Sequence, residues 1–204
     1  AATGLSLSGI RATVFLSSAD LAGAQDLLAS AAGRHVPLVV HLDNRALAGH
    51  AGALGSGHEV VHISADSGCF MLFAANVQEA VDFTLIARRV AEQTLIPGLV
   101  IMDAEQTALA VQDVRLPGHE LVDRYLGSAG DAVPSPTPAQ RLLFGEHRRR
   151  VPRWHDPYRP VLLGGLQPPS SWGMGKAADD AFFAQHLEQQ LEQSFSQFAD
   201  LTGR

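Results

Sequence analysis

Four histidines crowd one stretch of the chain, His41, His50, His58 and His62, and neutral imidazole is a common ligand for first-row metals. The set does not read as a zinc helix, since no carboxylate stands at the expected offset, so ordinary polar or buried histidines are expected. Arg45 follows directly on an apolar run and, taken by itself, is a surface or capping arginine. Ser17 and Ser18 close another apolar run, where substrate or cofactor contacts occur, although a helix N-cap explains Ser18 equally well. Cys69, the one cysteine, lies in Gly68-Cys69-Phe70-Met71. With no activating neighbour to infer, it reads as a small buried hydrophobe. Glu79 is first a cap residue and only second a site carboxylate. The run Arg148-Arg149-Arg150-Val151-Pro152-Arg153-Trp154 mixes bases with an aromatic, as a short nucleic-acid patch does. In an acidic chain a solvated loop or a contact for an acidic partner is favoured.

These residues need elements to carry them. Residues 12–16, Ala-Thr-Val-Phe-Leu, and 37–42, Pro-Leu-Val-Val-His-Leu, form short apolar runs of buried-strand character. Glu59-Val60-Val61-His62-Ile63 is a weaker strand candidate, and Gly98-Leu99-Val100-Ile101-Met102 a strong one. Helical composition spans 20–32 and stops at Gly33. The clearest helix runs from Asn76 to Thr94. Asn76 and Glu79 suit a capping box there, and Glu79, Asp82, Arg89 and Glu92 are placed on the polar side. Strands alternating with helices predict a mostly parallel, doubly wound α/β sheet with helices on both faces.

The expected layout is a partial α/β domain over 1–126, a Pro/Gly/Arg-rich wrapping segment over 127–176, and an amphipathic helix of the same domain over 177–204. Eight prolines between Pro134 and Pro169 argue against regular structure in the middle part. Phe183, Leu187, Leu191, Phe195, Phe198 and Leu201 recur every three or four residues, a stripe that must pack on something. The opening decapeptide reads as the tail of a helix already under way, and the chain as an excised fragment or processed product.

Composition narrows the classes. The chain has 204 residues, 46% hydrophobic and 18% charged, a net charge of −6 and a pI near 5.8. A single core is expected, and a general nucleic-acid or anionic-membrane binder is disfavoured because both need a positive surface. A lone cysteine excludes an internal disulfide and a self-contained iron–sulfur cluster. With no membrane span or signal segment in view, a cytoplasmic setting is expected.

The string His41-Leu42-Asp43-Asn44-Arg45-Ala46-Leu47-Ala48-Gly49-His50-Ala51 resembles one at a strand end in the first domain of the pyruvate:ferredoxin (flavodoxin) oxidoreductases. The similarity continues through Gly57-His58-Glu59, Ser67-Gly68-Cys69-Phe70-Met71-Leu72, Val77-Gln78-Glu79-Ala80-Val81-Asp82 and Pro97 to Asp103, and again at Gly165-Leu166-Gln167 and Leu201-Thr202-Gly203-Arg204. The resemblance implies the thiamine diphosphate-binding fold, covering the aminopyrimidine half of the cofactor. It also implies oxidative decarboxylation of a 2-oxo acid to acyl-coenzyme A, with magnesium and iron–sulfur clusters on other domains. It makes Arg45 the residue that binds the substrate carboxylate and His50 its site-lining neighbour. A guanidinium at a strand's C-terminal end suits that task through two parallel hydrogen bonds. Ser17 and Ser18 are the expected cofactor contacts. Implied partners are other domains or subunits of the oxidoreductase in a homodimer or hetero-oligomer, a ferredoxin or flavodoxin, and coenzyme A.

Departures from the family pattern keep a second reading open. The family places a catalytic Glu and a Tyr-Pro-x-Thr-Pro-type loop upstream of the position that Ala1 matches, and neither is present in this sequence. The family's Asp-Gly-Phe-Arg-Thr-Ser-His-Glu string reads Asp103-Ala104-Glu105-Gln106-Thr107-Ala108-Leu109-Ala110 here, its Ser-Gln-Gly turn reads Ser18-Ala19-Asp20, and no Gly-Asp-Gly motif occurs. The alternative is a degenerate copy of the domain, serving as scaffold or docking module in an iron–sulfur or flavin reductase such as a sulfite reductase.

Overall fold

The computed structural model describes residues 1–47, 49, 52–55, 57–158, 167–182 and 184–204. A short helix α1 (Ala2–Leu7) leads into β1 (Thr13–Ser17), then α2 (Ser18–Gly23), α3 (Gln25–Gly33), β2 (Val39–Asn44) and α4 (Glu59–Ser64). β3 (Phe70–Ala74), α5 (Val77–Thr94), β4 (Gly98–Asp103) and α6 (His119–Leu126) follow. The remainder comprises β5 (Ala132–Pro134), α7 (Pro138–Phe144), β6 (His147–Arg149), α8 (Pro169–Phe182) and α9 (Leu187–Thr202).

The four-stranded sheet has order β1-β2-β4-β3, and every pairing is parallel, with Ser17 opposite Asp43 and Asn44 opposite Asp103 at the strand tips. Alternation along the strands separates two cores. Val40, Leu42, Leu99 and Ile101 pack with Leu21, Leu28, Ala31 and Val60 of α2, α3 and α4. Val39, Phe70 and Val100 turn the other way, against Ile86, Val90 and Ala91 of α5, with Tyr125 of α6 and Phe198 of α9 behind. This is the doubly wound α/β arrangement that the alternating strands and helices predict, and it delivers all four strand C-termini to one rim.

Two expectations are corrected. Residues 59–63 form helix α4 rather than a strand. Their β-branched residues suggest extension, but only Val60 and Ser64, one turn apart, are fully buried, while Ile63 is about half exposed. The strand belongs to Phe70–Ala74. Residues 127–176 also hold more regular structure than their prolines suggest. Pro138 and Pro169 occupy first turns of helices, where a missing N–H costs nothing, and β5 and β6 form an antiparallel pair.

Part of that segment reaches the sheet's first core. Trp154, 3% exposed, packs into the first core and donates its backbone N–H to Leu7 at 2.9 Å. Arg148 also corrects the solvated-loop reading. It is 4% exposed and donates to Gln140 Oε1 (2.6 Å), to the carbonyls of Glu92 (2.6 Å) and Gln93 (3.1 Å), and to those of Arg149 and Arg150. Glu92, assigned by periodicity to the polar side of its helix, is fully buried and pairs with Arg11 at 2.6 Å. Arg88 donates to the carbonyls of Ala12 and Pro37 just before β1 and β2. These charges fasten the N-terminal ends of the strands, opposite the rim.

The C-terminal stripe packs as periodicity requires. Leu187, Leu191, Phe198 and Leu201 join the α5 core and Phe195 meets Phe83 edge-on at 5.7 Å, while Phe183 lies outside the described residues.

Candidate functional site

The rim collects Ser17 and Ser18 from the end of β1, Asp43, Asn44 and Arg45 from the end of β2, Asp103 from the end of β4, and His58 from the start of α4. Parallel α/β sheets bind ligands outside the carboxyl ends of their strands, because the connecting loops diverge there.

Ser17 is the N-cap of α2: its hydroxyl donates to Asp20 Oδ2 (2.7 Å) and accepts from Asp20 N (3.4 Å), and Asp20 Oδ2 accepts from Ser17 N (3.1 Å). The reciprocal arrangement is a capping box, centred one residue before the cap expected at Ser18. Those hydrogen bonds hold the Asp20 carboxyl below its ordinary value, and the charge of Arg45 adds in the same direction. Asp20 is therefore within electrostatic reach of Arg45. Ser18 is 1% exposed and its hydroxyl accepts from Arg45 N at 2.9 Å. Arg45 is half-buried. Among the described residues its guanidinium has no hydrogen-bond or ion-pair partner. His50 lies outside the described residues.

Asn44, also 1% exposed, donates through Nδ2 to the Gly57 carbonyl at 3.1 Å. Gly57 needs to be glycine twice over: its φ is +89°, and a Cβ there would fall 2.4 Å from Ala46 Cα. Ala46 N donates to Ala53 O at 3.0 Å. The far oxygens Asn44 Oδ1 and Asp103 Oδ1 are buried without a hydrogen-bond partner. Parallel register sets the two residues side by side.

His58-Glu59-Val60-Val61-His62 has two imidazoles one helical turn apart around a Glu, the spacing of a zinc helix, which the sequence reading passed over. His58 is the N-cap of α4, turned toward Asp103 Oδ2 at 3.6 Å and the Phe73 ring at 5.6 Å, while His62 is exposed. Among the described residues no three ligating side chains converge. His41 is 4% exposed beneath Phe15, their ring centroids 4.7 Å apart. Burial pushes the Cys69 thiol up to about 11, which agrees with an inert packing role. Among the described residues no helix is long and apolar enough to cross a membrane.

Residues 1–170 match the family model described as pyruvate flavodoxin/ferredoxin oxidoreductase, thiamine diphosphate-binding. The chain belongs to this family. Among curated oxidoreductases, the pyruvate synthase subunit PorA of Pyrococcus abyssi is 34% identical over 174 residues, 84% of this chain and 39% of that subunit. The probable pyruvate-flavodoxin oxidoreductase of Escherichia coli is 28% identical over 197 residues, 97% of this chain but 15% of that protein. A solved 2-oxoglutarate:ferredoxin oxidoreductase from Magnetococcus marinus, with 2-oxoglutarate, coenzyme A and succinyl-CoA bound, aligns over 97% of this chain and 35% of its own at 15% identity and a TM-score of 0.46. The chain thus spans well under half the length of these oxidoreductases.

Proposed function

We propose that the chain is the pyrimidine-side domain of a thiamine diphosphate-dependent 2-oxo acid:ferredoxin or flavodoxin oxidoreductase, and that Arg45 grips the substrate carboxylate. The observation that carries this reading is a half-buried guanidinium at the tip of a central parallel strand, its backbone tied down and its side chain unpaired among the described residues. Two parallel charge-assisted N–H bonds to one carboxylate would orient a 2-oxo acid with its keto carbon directed into the crevice. His50, sharing the Arg45 string, is proposed to line the same pocket.

The donor set at the rim fits half of the cofactor. The orphaned acceptors Asn44 Oδ1 and Asp103 Oδ1 suit the exocyclic amine of an aminopyrimidine. They do not suit a diphosphate, whose oxygens would meet acceptors. Asn44 and Asp103 would therefore hold the pyrimidine end, with the Ser17-Ser18 turn as its flank, and the diphosphate and magnesium would lie on another domain or subunit. When bound, the cofactor supplies the electron sink for decarboxylation. This chain's part is to bind, orient and charge-match. Iron–sulfur clusters, coenzyme A and the ferredoxin or flavodoxin would be met by the rest of the assembly.

The test is calorimetric titration of pyruvate into the complete thiamine-loaded enzyme. Arg45→Lys keeps the charge but loses the fork, and is expected to weaken binding about tenfold, as befits one lost charge-assisted hydrogen bond. Unchanged affinity would refute the reading. The scaffold alternative draws on the Asp20 carboxylate, whose charge is felt at Arg45 and opposes an incoming anion. It would be supported by a complete assembly that takes up no thiamine diphosphate.

A further inference from the structure

The tip of β2 raises a problem that its neighbours solve. A parallel ladder gives each strand N–H a carbonyl on the adjoining strand, but β1 and β2 stay in register only as far as Ser17 and Asp43. Beyond that point the Ser17–Asp20 capping box turns the chain into α2. The N–H of Arg45 would lose its partner where burial makes an unpaired donor expensive. The Ser18 hydroxyl takes over and accepts from that N–H at 2.9 Å. On the other side of the tip the Asn44 amide holds the Gly57 carbonyl at 3.1 Å, and Gly57 lies hard against Ala46, the residue after Arg45. Both side chains are 1% exposed, so water does not compete for either bond.

We propose that Ser18 and Asn44 are positioning residues for Arg45: the hydroxyl fixes the backbone of the arginine and the amide braces the loop that follows. This rests on the reading of Arg45 as the carboxylate clamp. Neither side chain needs to touch the substrate. Each restricts where the guanidinium fork can point, and a fork misplaced by about 1 Å loses one of its two bonds. The Ser18 hydroxyl thus acts through the arginine rather than on the cofactor.

Ser18→Ala and Asn44→Ala are made separately in the complete enzyme beside Arg45→Ala. For each, KM and kcat for pyruvate, the dissociation constant for thiamine diphosphate, and Tm are measured. Loss of one hydrogen bond of this kind corresponds to about a fivefold to tenfold effect. The expected result is that both positioning variants raise KM for pyruvate by that factor, Ser18→Ala with thiamine diphosphate affinity within about twofold of the parent and Asn44→Ala, which also removes the Oδ1 assigned to the pyrimidine end, with weaker thiamine diphosphate binding. The two variants reach Arg45 from opposite sides, so concordant KM changes support positioning even if one of them lowers Tm. If Arg45→Ala raises KM and the two others do not, the positioning proposal is overturned and the clamp stands. If Ser18→Ala weakens thiamine diphosphate binding with KM for pyruvate unchanged, the hydroxyl is a cofactor contact and the proposal is overturned. If Arg45→Ala leaves KM unchanged, the clamp reading falls and takes the proposal with it.

Discussion

Lowering the pH from 7.5 to 5 should weaken the native state through His41, a residue of β2 four positions before Arg45. The ring is 4% exposed, stacked under Phe15, and its Nε2 has no hydrogen-bond partner. Burial, reinforced by the charge of Arg88, holds its pKa down at about 4 against an ordinary 6.5. The unfolded chain therefore takes up the proton first as the pH falls. The full contribution to stability is present above about pH 6.5 and drains away as the pH drops toward 4. Between those limits a shift of this size corresponds to about 3 kcal/mol, of which about 2 kcal/mol is already lost by pH 5. Urea unfolding at pH 7.5, 6 and 5 measures this directly in the wild type and in His41→Leu, which keeps an apolar partner for Phe15 and cannot titrate. The wild-type curve should lose about 2 kcal/mol more than the variant over that interval. Parallel pH profiles would show that His41 does not titrate as its burial requires.

Arg148→Met should cost about 3–5 kcal/mol in urea unfolding, because it strips the donor from the buried Gln140 Oε1 and from the Glu92 and Gln93 carbonyls. Under the proposed function it should leave KM for pyruvate unchanged, since it acts at the other end of the strands, and a stability loss below about 1 kcal/mol would contradict the network described. Cys69, its thiol pushed up to about 11, should react with a maleimide at pH 8 much more slowly in the native protein than in urea. Equal rates in the two states would mean that the thiol is open to solvent.

Much of this architecture is legible in local pattern because parallel strands buried on both faces are continuous apolar runs, and α5 declares itself through Asn76 accepting from Glu79 N at 2.9 Å. Glu79 in turn accepts from Ala75 N at 2.8 Å, the cap role assigned to it from sequence. Where local pattern misleads, a distant contact has overridden it. Val60 and Val61 favour extension, but burial of Val60 beneath the sheet selects a helix. Glu92 and Arg148 look like solvent charges until residues some 55 positions apart are brought together across α5. The 70–74 strand, Phe-Met-Leu-Phe-Ala, is wholly apolar in sequence although it is edge-lying, with Phe73 43% exposed.

The rim divides in the same way. Arg45 stands out through its string, whereas the residues that hold it do not, because Ser18 and Asn44 acquire meaning only from strand register. Ser17 opposite Asp43 and Asn44 opposite Asp103 are facts about pairing, not about composition. Asp20 illustrates the consequence. Placed where the resembling family has glycine, it completes a capping box with Ser17 and at the same time sets a negative charge within reach of the arginine. The substitution thus trades some attraction for an anion at the rim against a firmer start to α2, the helix whose first residue holds Arg45 in place. Relieving the charge without the cap, as Asp20→Asn does, separates the two effects, since asparagine can still accept from the Ser17 hydroxyl while it no longer repels a carboxylate.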